Sequence, residues 1–220
     1  MPPACPCWQR HLPSRITPRH KTRAGIGKEI ARQLLQNSYK VILGCRSEDA
    51  GRAAAAELGG AVTVLALDIS DAASIGCAAA AVAHEFGALD VLVNNAGIAF
   101  KGSDPTPFTA QAAPTVDTNF FGTVACTAAF LPLLLQSKNS PRIVNVASQA
   151  GHLDILPSRE RRQAFESDAL TLAQLEGFMR EFVADVQNGQ HAKVRRRNCA
   201  AMPCVFFHFF LFRMAMIADM

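Results

Sequence analysis

Between residues 25 and 193 the chain alternates short apolar runs with longer stretches in which apolar side chains recur every three or four positions. Gly25-Ile26-Gly27 opens a stretch with Ile30, Ala31, Leu34 and Leu35 on one face, which predicts a helix over 28–37. Val41-Ile42-Leu43 predicts a short strand, and Ser47 an N-cap for an alanine-rich helix running to Leu58. The run from Val62 to Leu67 is strand-like and expected to be buried on both faces. Asp71 starts a helix that reaches about Phe86, followed by the strand Leu89-Asp90-Val91-Leu92-Val93, which ends at Asn94. A long helix over 110–136, a strand over 142–146 and two amphipathic helices over 158–165 and 172–186 complete the pattern. Repeated β-α units of this length predict an α/β fold, a parallel sheet covered by helices and joined by right-handed crossovers.

The two ends break this grammar. Residues 1–23 hold Pro2, Pro3, Pro6, Pro13 and Pro18 and no apolar run, so they cannot supply a central parallel strand, which needs continuous apolar side chains and every backbone N–H. They form an irregular N-terminal segment whose arginines and lack of acids leave an organellar transit peptide open as a reading. Residues 194–220 are a divergent hydrophobic tail; the run 205–212 holds five of the fourteen phenylalanines but falls short of the ~20 apolar residues of a membrane span.

Composition narrows the class. Of 220 residues, half are hydrophobic and 18% charged, which suits one globular domain with a substantial core. The net charge of +4 comes from the ends, since 1–28 and 187–218 contain no Asp or Glu, so it gives no argument for nucleic-acid binding. The seven cysteines lack paired spacing. Cys45, Cys77 and Cys126 sit in apolar or helical contexts and read as reduced, buried thiols. Cys5-Pro6-Cys7 and Cys199, Cys204 and His208 form no closed zinc set, so no metal is expected, and the compartment is read as cytoplasmic.

The informative motif is Asn94-Asn95-Ala96-Gly97. A strand ending in two amides and two small residues leaves a crevice where a flat ligand can lie on bare backbone, at the carboxyl end of the strand where open α/β sheets bind nucleotides. This stretch continues through Ile98-Ala99-Phe100, Asp104-Pro105-Thr106-Pro107-Phe108 and Asn119-Phe120-Phe121-Gly122-Thr123. In that order and register it resembles the short-chain dehydrogenase/reductase family, and within it the monomeric NADPH-dependent carbonyl reductases, over residues 24–193. The resemblance implies a Rossmann-like doubly wound parallel sheet, here incomplete because the first strand and the last two strands are missing. The missing first strand is the one this fold places centrally, between the second and fourth.

The resemblance also implies roles. Gly25, Ile26 and Gly27 match the end of the glycine-rich loop that receives the cofactor pyrophosphate at a helix start, although an ordinary glycine turn would read the same. Arg46 matches the basic position that meets the 2′-phosphate of NADPH; alone it could be a solvated arginine at a strand end. Asp68 and Ile69 resemble the pair that touches adenine, while Asp68 also suits a turn before a helix capped by Ser70 or Asp71. Asn94, Ala96 and Gly97 complete the implied cofactor set. Asn119 and Ser148 match two members of an Asn-Ser-Tyr-Lys catalytic set, in which serine holds the substrate carbonyl and tyrosine donates a proton. The helices within 155–193 resemble the insertion that keeps carbonyl reductases monomeric.

After Lys193 the relatives continue to Tyr-x-x-x-Lys, whereas here Val194-Arg195-Arg196-Arg197 follows and the only tyrosine is Tyr39. Valine codons begin with the two bases that open most introns, so 194–220 is read as translated intron and 1–23 as a substitute for a missing first exon. A continuous, abundant transcript through the codons of Lys193 and Val194 would overturn this. The sequence thus predicts a carbonyl reductase framework for ketones, aldehydes or quinones, catalytically impaired as it stands. The alternatives are a non-catalytic nucleotide-binding or interaction protein, or a protein that meets a membrane through its phenylalanine-rich end.

Overall fold

The computed structural model describes residues 25–148, 151–153, 156 and 158–190, which fall into two compact units divided after Gly87. Both unusual ends, 1–23 and 194–220, lie outside the described residues, together with every expectation placed on them.

In the first unit α1 (Ile26–Gln36), β1 (Val41–Cys45), α2 (Glu48–Leu58), β2 (Val62–Ala66) and α3 (Ala72–Phe86) follow one another. β1 and β2 are parallel, in register from Val41 opposite Val62 to Cys45 opposite Ala66. The helix boundaries follow local chemistry. Extended Gly25 precedes α1, Ser47 accepts the Ala50 N–H at 3.3 Å to cap α2, and Asp71 caps α3 by accepting the Ala73 N–H at 2.9 Å. The cap of α3 is therefore Asp71 and not Ser70. α2 rides close on the strands: a Cβ on Gly51 would stand 2.3 Å from Cys45 Sγ and 2.7 Å from Val64 Cγ1, so only glycine fits. Ala31, Val41, Leu65, Ile69, Ile75, Ala78 and Val82 are the buried apolar residues of this unit. β2 departs from the expectation of burial on both faces. Only Leu65 is buried and Ala66 is exposed, because β2 is hydrogen-bonded to β1 alone among the described strands and a two-stranded pair covers its side chains incompletely.

The second unit holds β3 (Val91–Asn94), α4 (Phe108–Val116), a π-helical turn (Asp117–Gly122), α5 (Thr123–Leu134), β4 (Arg142–Asn145), α6 (Arg159–Glu166) and α7 (Leu172–Gln187). β3 and β4 are parallel, with Val91 opposite Arg142 and Asn94 opposite Asn145. The helix expected over 110–136 is one continuous run, but its middle turn is π-helical. Leu175, Met179, Phe182 and Val186 form a single buried stripe on α7, packed with Phe165 of α6, Leu156, and Ala112, Val116 and Phe120. Thr171 and Gln174 start α7 with a reciprocal capping box. This core explains why the segment from 158 onward folds against α4 and the π turn: each buried phenylalanine contributes about 1.5–3 kcal/mol.

One cysteine assignment needs correction. Cys45 and Cys126 are free, the first half-buried and the second buried, but Cys77 is disulfide-bonded. It lies beside the stripe Ile75, Ala78 and Val82 that α3 buries and is itself half-buried, so its apolar neighbours in sequence do not enclose it. Among the described residues no helix is long and apolar enough to cross a membrane, and no group of His, Cys, Asp or Glu could hold a metal ion.

Candidate active site

The candidate residues divide between the two units, and each group lies at strand ends or helix starts that the fold fixes. In the first unit Gly25 stands at the start of α1 with no side-chain cap, and nothing lies within 4 Å of the place a Cβ would take. No contact with a described residue therefore demands glycine there, and helix starts are where pyrophosphates bind backbone N–H groups. Ile26 is 66% exposed and Gly27 half-buried. Arg46 follows β1 directly and is exposed, and the nearby carboxylate of Glu48 is taken by Arg52. Arg46 makes no ion pair with another described residue.

At the end of β2, one carboxylate oxygen of Asp68 accepts the N–H of Ser70 at 2.9 Å and its hydroxyl at 2.6 Å, while the Asp68 N–H donates to Ser74 Oγ at 2.9 Å. Asp68 is thus a turn residue whatever else it does. Ile69 points into the core, so only its backbone is available to a ligand.

The second unit shows how the Asn-Asn-Ala-Gly stretch is held. Asn94, buried, donates through Nδ2 to Thr127 Oγ1 of α5 at 3.0 Å and to Asn145 Oδ1 of β4 at 2.7 Å. Its side chain ties two strand ends to a helix. Asn119 is also buried, within the π turn, and grips the backbone of Ile98 twice. Its Oδ1 accepts the Ile98 N–H at 2.7 Å and its Nδ2 donates to the Ile98 carbonyl at 2.8 Å. Gly97 lies against this clamp: a Cβ there would stand 3.1 Å from Asn119 Oδ1. Ala96 and Gly97 are exposed, presenting bare backbone beside the clamp. The structure thus brings Gly97 and Asn119 together. Ser148, exposed just past β4, accepts the Gly151 N–H through its backbone carbonyl at 2.9 Å.

Three contributors escaped the sequence reading: Ile98, Thr127 and Asn145. Asn145 had a signal, an amide inside an otherwise apolar strand. Thr127 and Ile98 had none, because their roles depend on a partner 33 or 21 residues away. π turns are rare and occur often at functional sites, which agrees with finding Asn119 on one.

The first unit thus has a glycine before its first helix and a basic residue after the following strand, and the second has an amide clamp on a small-residue loop. The short chain dehydrogenase family matches residues 22–157, and the chain belongs to that family. It is 44% identical over 174 residues to carbonyl reductase [NADPH] 1 of Bos taurus and 41% identical over 181 residues to that of Mus musculus. These alignments cover 77% and 80% of this chain but only 62% and 64% of the bovine and mouse proteins, so the chain spans less than two thirds of their length. Among solved structures, menthone neomenthol reductase from Mentha piperita superposes with a TM-score of 0.75 at 28% identity, covering 88% of this chain and 82% of that one. Salutaridine reductase from Papaver somniferum superposes at 0.78 with 24% identity, covering 89% and 79%, a likeness of fold. The α/β, Rossmann-like architecture is thereby established.

Proposed function

We propose that this chain carries the NADPH-binding framework of a carbonyl reductase, with ketones, aldehydes or quinones as the substrate class. The observation that carries the reading is the double hydrogen bond from Asn119 to Ile98, which sets the Ala96-Gly97 backbone at the end of β3. The residues fit the cofactor. Gly25 and the start of α1 would receive the pyrophosphate, Arg46 the 2′-phosphate, and Asp68 with the Ile69 backbone the adenine. Asn94 would act through the strand ends it holds, and Ala96 and Gly97 would offer close backbone approach. With NADPH bound, the chemistry supplied is hydride delivery to a carbonyl carbon. Ser148 would hold the carbonyl oxygen, and Asn119 would keep the loop and its own helix turn in place.

The second reading is a non-catalytic nucleotide-binding protein, and one observation favours it. The only tyrosine, Tyr39, is 43% exposed in the loop before β1, and no Tyr-x-x-x-Lys follows Ser148 in the sequence. A positioned general acid typically supplies 10²–10⁴-fold, so turnover without one should be slower by about that factor. We read the chain as a monomer in the cytoplasm.

Titrating the purified 220-residue chain with NADPH, by cofactor fluorescence, and following NADPH consumption with menadione separates the readings. Saturable binding with a rate at least ~100-fold below that of a full-length carbonyl reductase is the expected result. Binding with a comparable rate restores the full enzyme reading, and absence of binding overturns both.

A further inference from the structure

The described residues border an open groove of about 390 Å³ that the proposed function does not use, lined by Asp117 and Phe121 of the π turn and by Arg180, Val183, Ala184 and Gln187 of α7. It sits within the second unit, at the lower end of the size range of small-molecule sites. Its floor is apolar. Its charge is not balanced. Arg180 pairs with Glu176 at 3.1 Å, whereas Asp117 is exposed and makes no ion pair or side-chain hydrogen bond with another described residue. The surplus is therefore one carboxylate. The Phe121 ring already takes a cation on its face, with the Arg180 guanidinium 4.8 Å from its centroid. The Gln187 side-chain carbonyl can accept a further hydrogen bond at the rim.

We propose that this groove binds a small aromatic monoamine, its ammonium paired with Asp117 and its ring laid against Val183 and Ala184. An anion is disfavoured because the one guanidinium is already neutralised while the carboxylate is not. Asp117 opens the same π turn that carries Asn119.

The probe is 2-phenylethylamine, titrated at pH 7 into the full chain and followed by protein chemical shifts and calorimetry, with neutral 2-phenylethanol as its isostere. Saturable binding is expected, with shifts centred on α7 and the π turn. Asp117→Asn should weaken it by up to roughly fivefold, the upper end for an exposed ion pair. Ala184→Trp, which fills the groove from an exposed position, should abolish it. Equal affinity for 2-phenylethanol, unchanged binding in Asp117→Asn with its fold verified by circular dichroism, or no saturable binding would each overturn the proposal. If Asp117→Asn does not fold, the isostere comparison and Ala184→Trp decide.

Discussion

At the scale of single residues, the buried amide of Asn119 does two jobs with one side chain. It satisfies both backbone polar groups of Ile98, and it crowds any Cβ at position 97. Leaving a buried donor or acceptor unsatisfied costs about 1–3 kcal/mol. Asn119→Ala should therefore lower unfolding free energy by about that amount in urea titration and weaken NADPH binding as well. Gly97→Ala should keep most of the stability but still weaken NADPH binding, because the new methyl pushes on Asn119 Oδ1 from 3.1 Å. A Gly97→Ala protein that binds NADPH like the parent would show that the close approach is incidental. Cys126 gives a pH dependence. Burial on α5 pushes its thiol up to about 11. Because the folded value lies above the unfolded one, about 8.5, the contribution is complete below that pH and is lost as pH rises towards 11. Melting temperature should fall over this window, and Cys126→Ala should flatten that part of the profile.

At the scale of elements, caps and stripes did most of the specifying. Thr171 and Gln174 close the N-terminus of α7, whose buried stripe fills much of the second unit's core. Thr171→Ala should cost about 1 kcal/mol of stability, measured by chemical denaturation, with no change in the core contacts it precedes. The same elements show what the sequence could reveal. Ser47 and Asp71 announced α2 and α3, and 3.6-residue periodicity found α7 to within a residue or two, because caps and amphipathic stripes are local. The π turn was invisible: one added residue shifts the hydrophobic phase too little to show within a run as apolar as 123–134. Candidate residues such as Arg46 and Ser148 were legible through family resemblance, since exposed side chains at strand ends carry no periodic signal of their own. The Asn94–Thr127–Asn145 network was not, because it is assembled from three elements.

At the scale of the whole molecule, the two units differ in what holds them. The second has a cluster of nine buried apolar side chains, including Phe120, Phe165 and Phe182. The first buries mostly small or branched ones, Ala31, Ala78, Val41 and Val82 among them, around a two-stranded sheet, and isolated strand pairs are marginal in water. Local stability follows the apolar area each region removes from water, so the units should open with different free energies. Hydrogen exchange read by mass spectrometry should find peptides of α7 and α5 exchanging slowest. Peptides of α1 and α2, where the surface ion pairs Lys28–Glu57, Arg32–Glu29 and Arg52–Glu48 contribute little, should exchange markedly faster. Adding NADPH should slow exchange at the start of α1 and in the segment after β3, because a ligand that binds only the folded form raises the free energy of opening wherever its contacts must break. If α1 and α7 instead exchange at one common rate, without cofactor and with it, the units unfold together and the smaller core is sustained by contacts beyond its own residues.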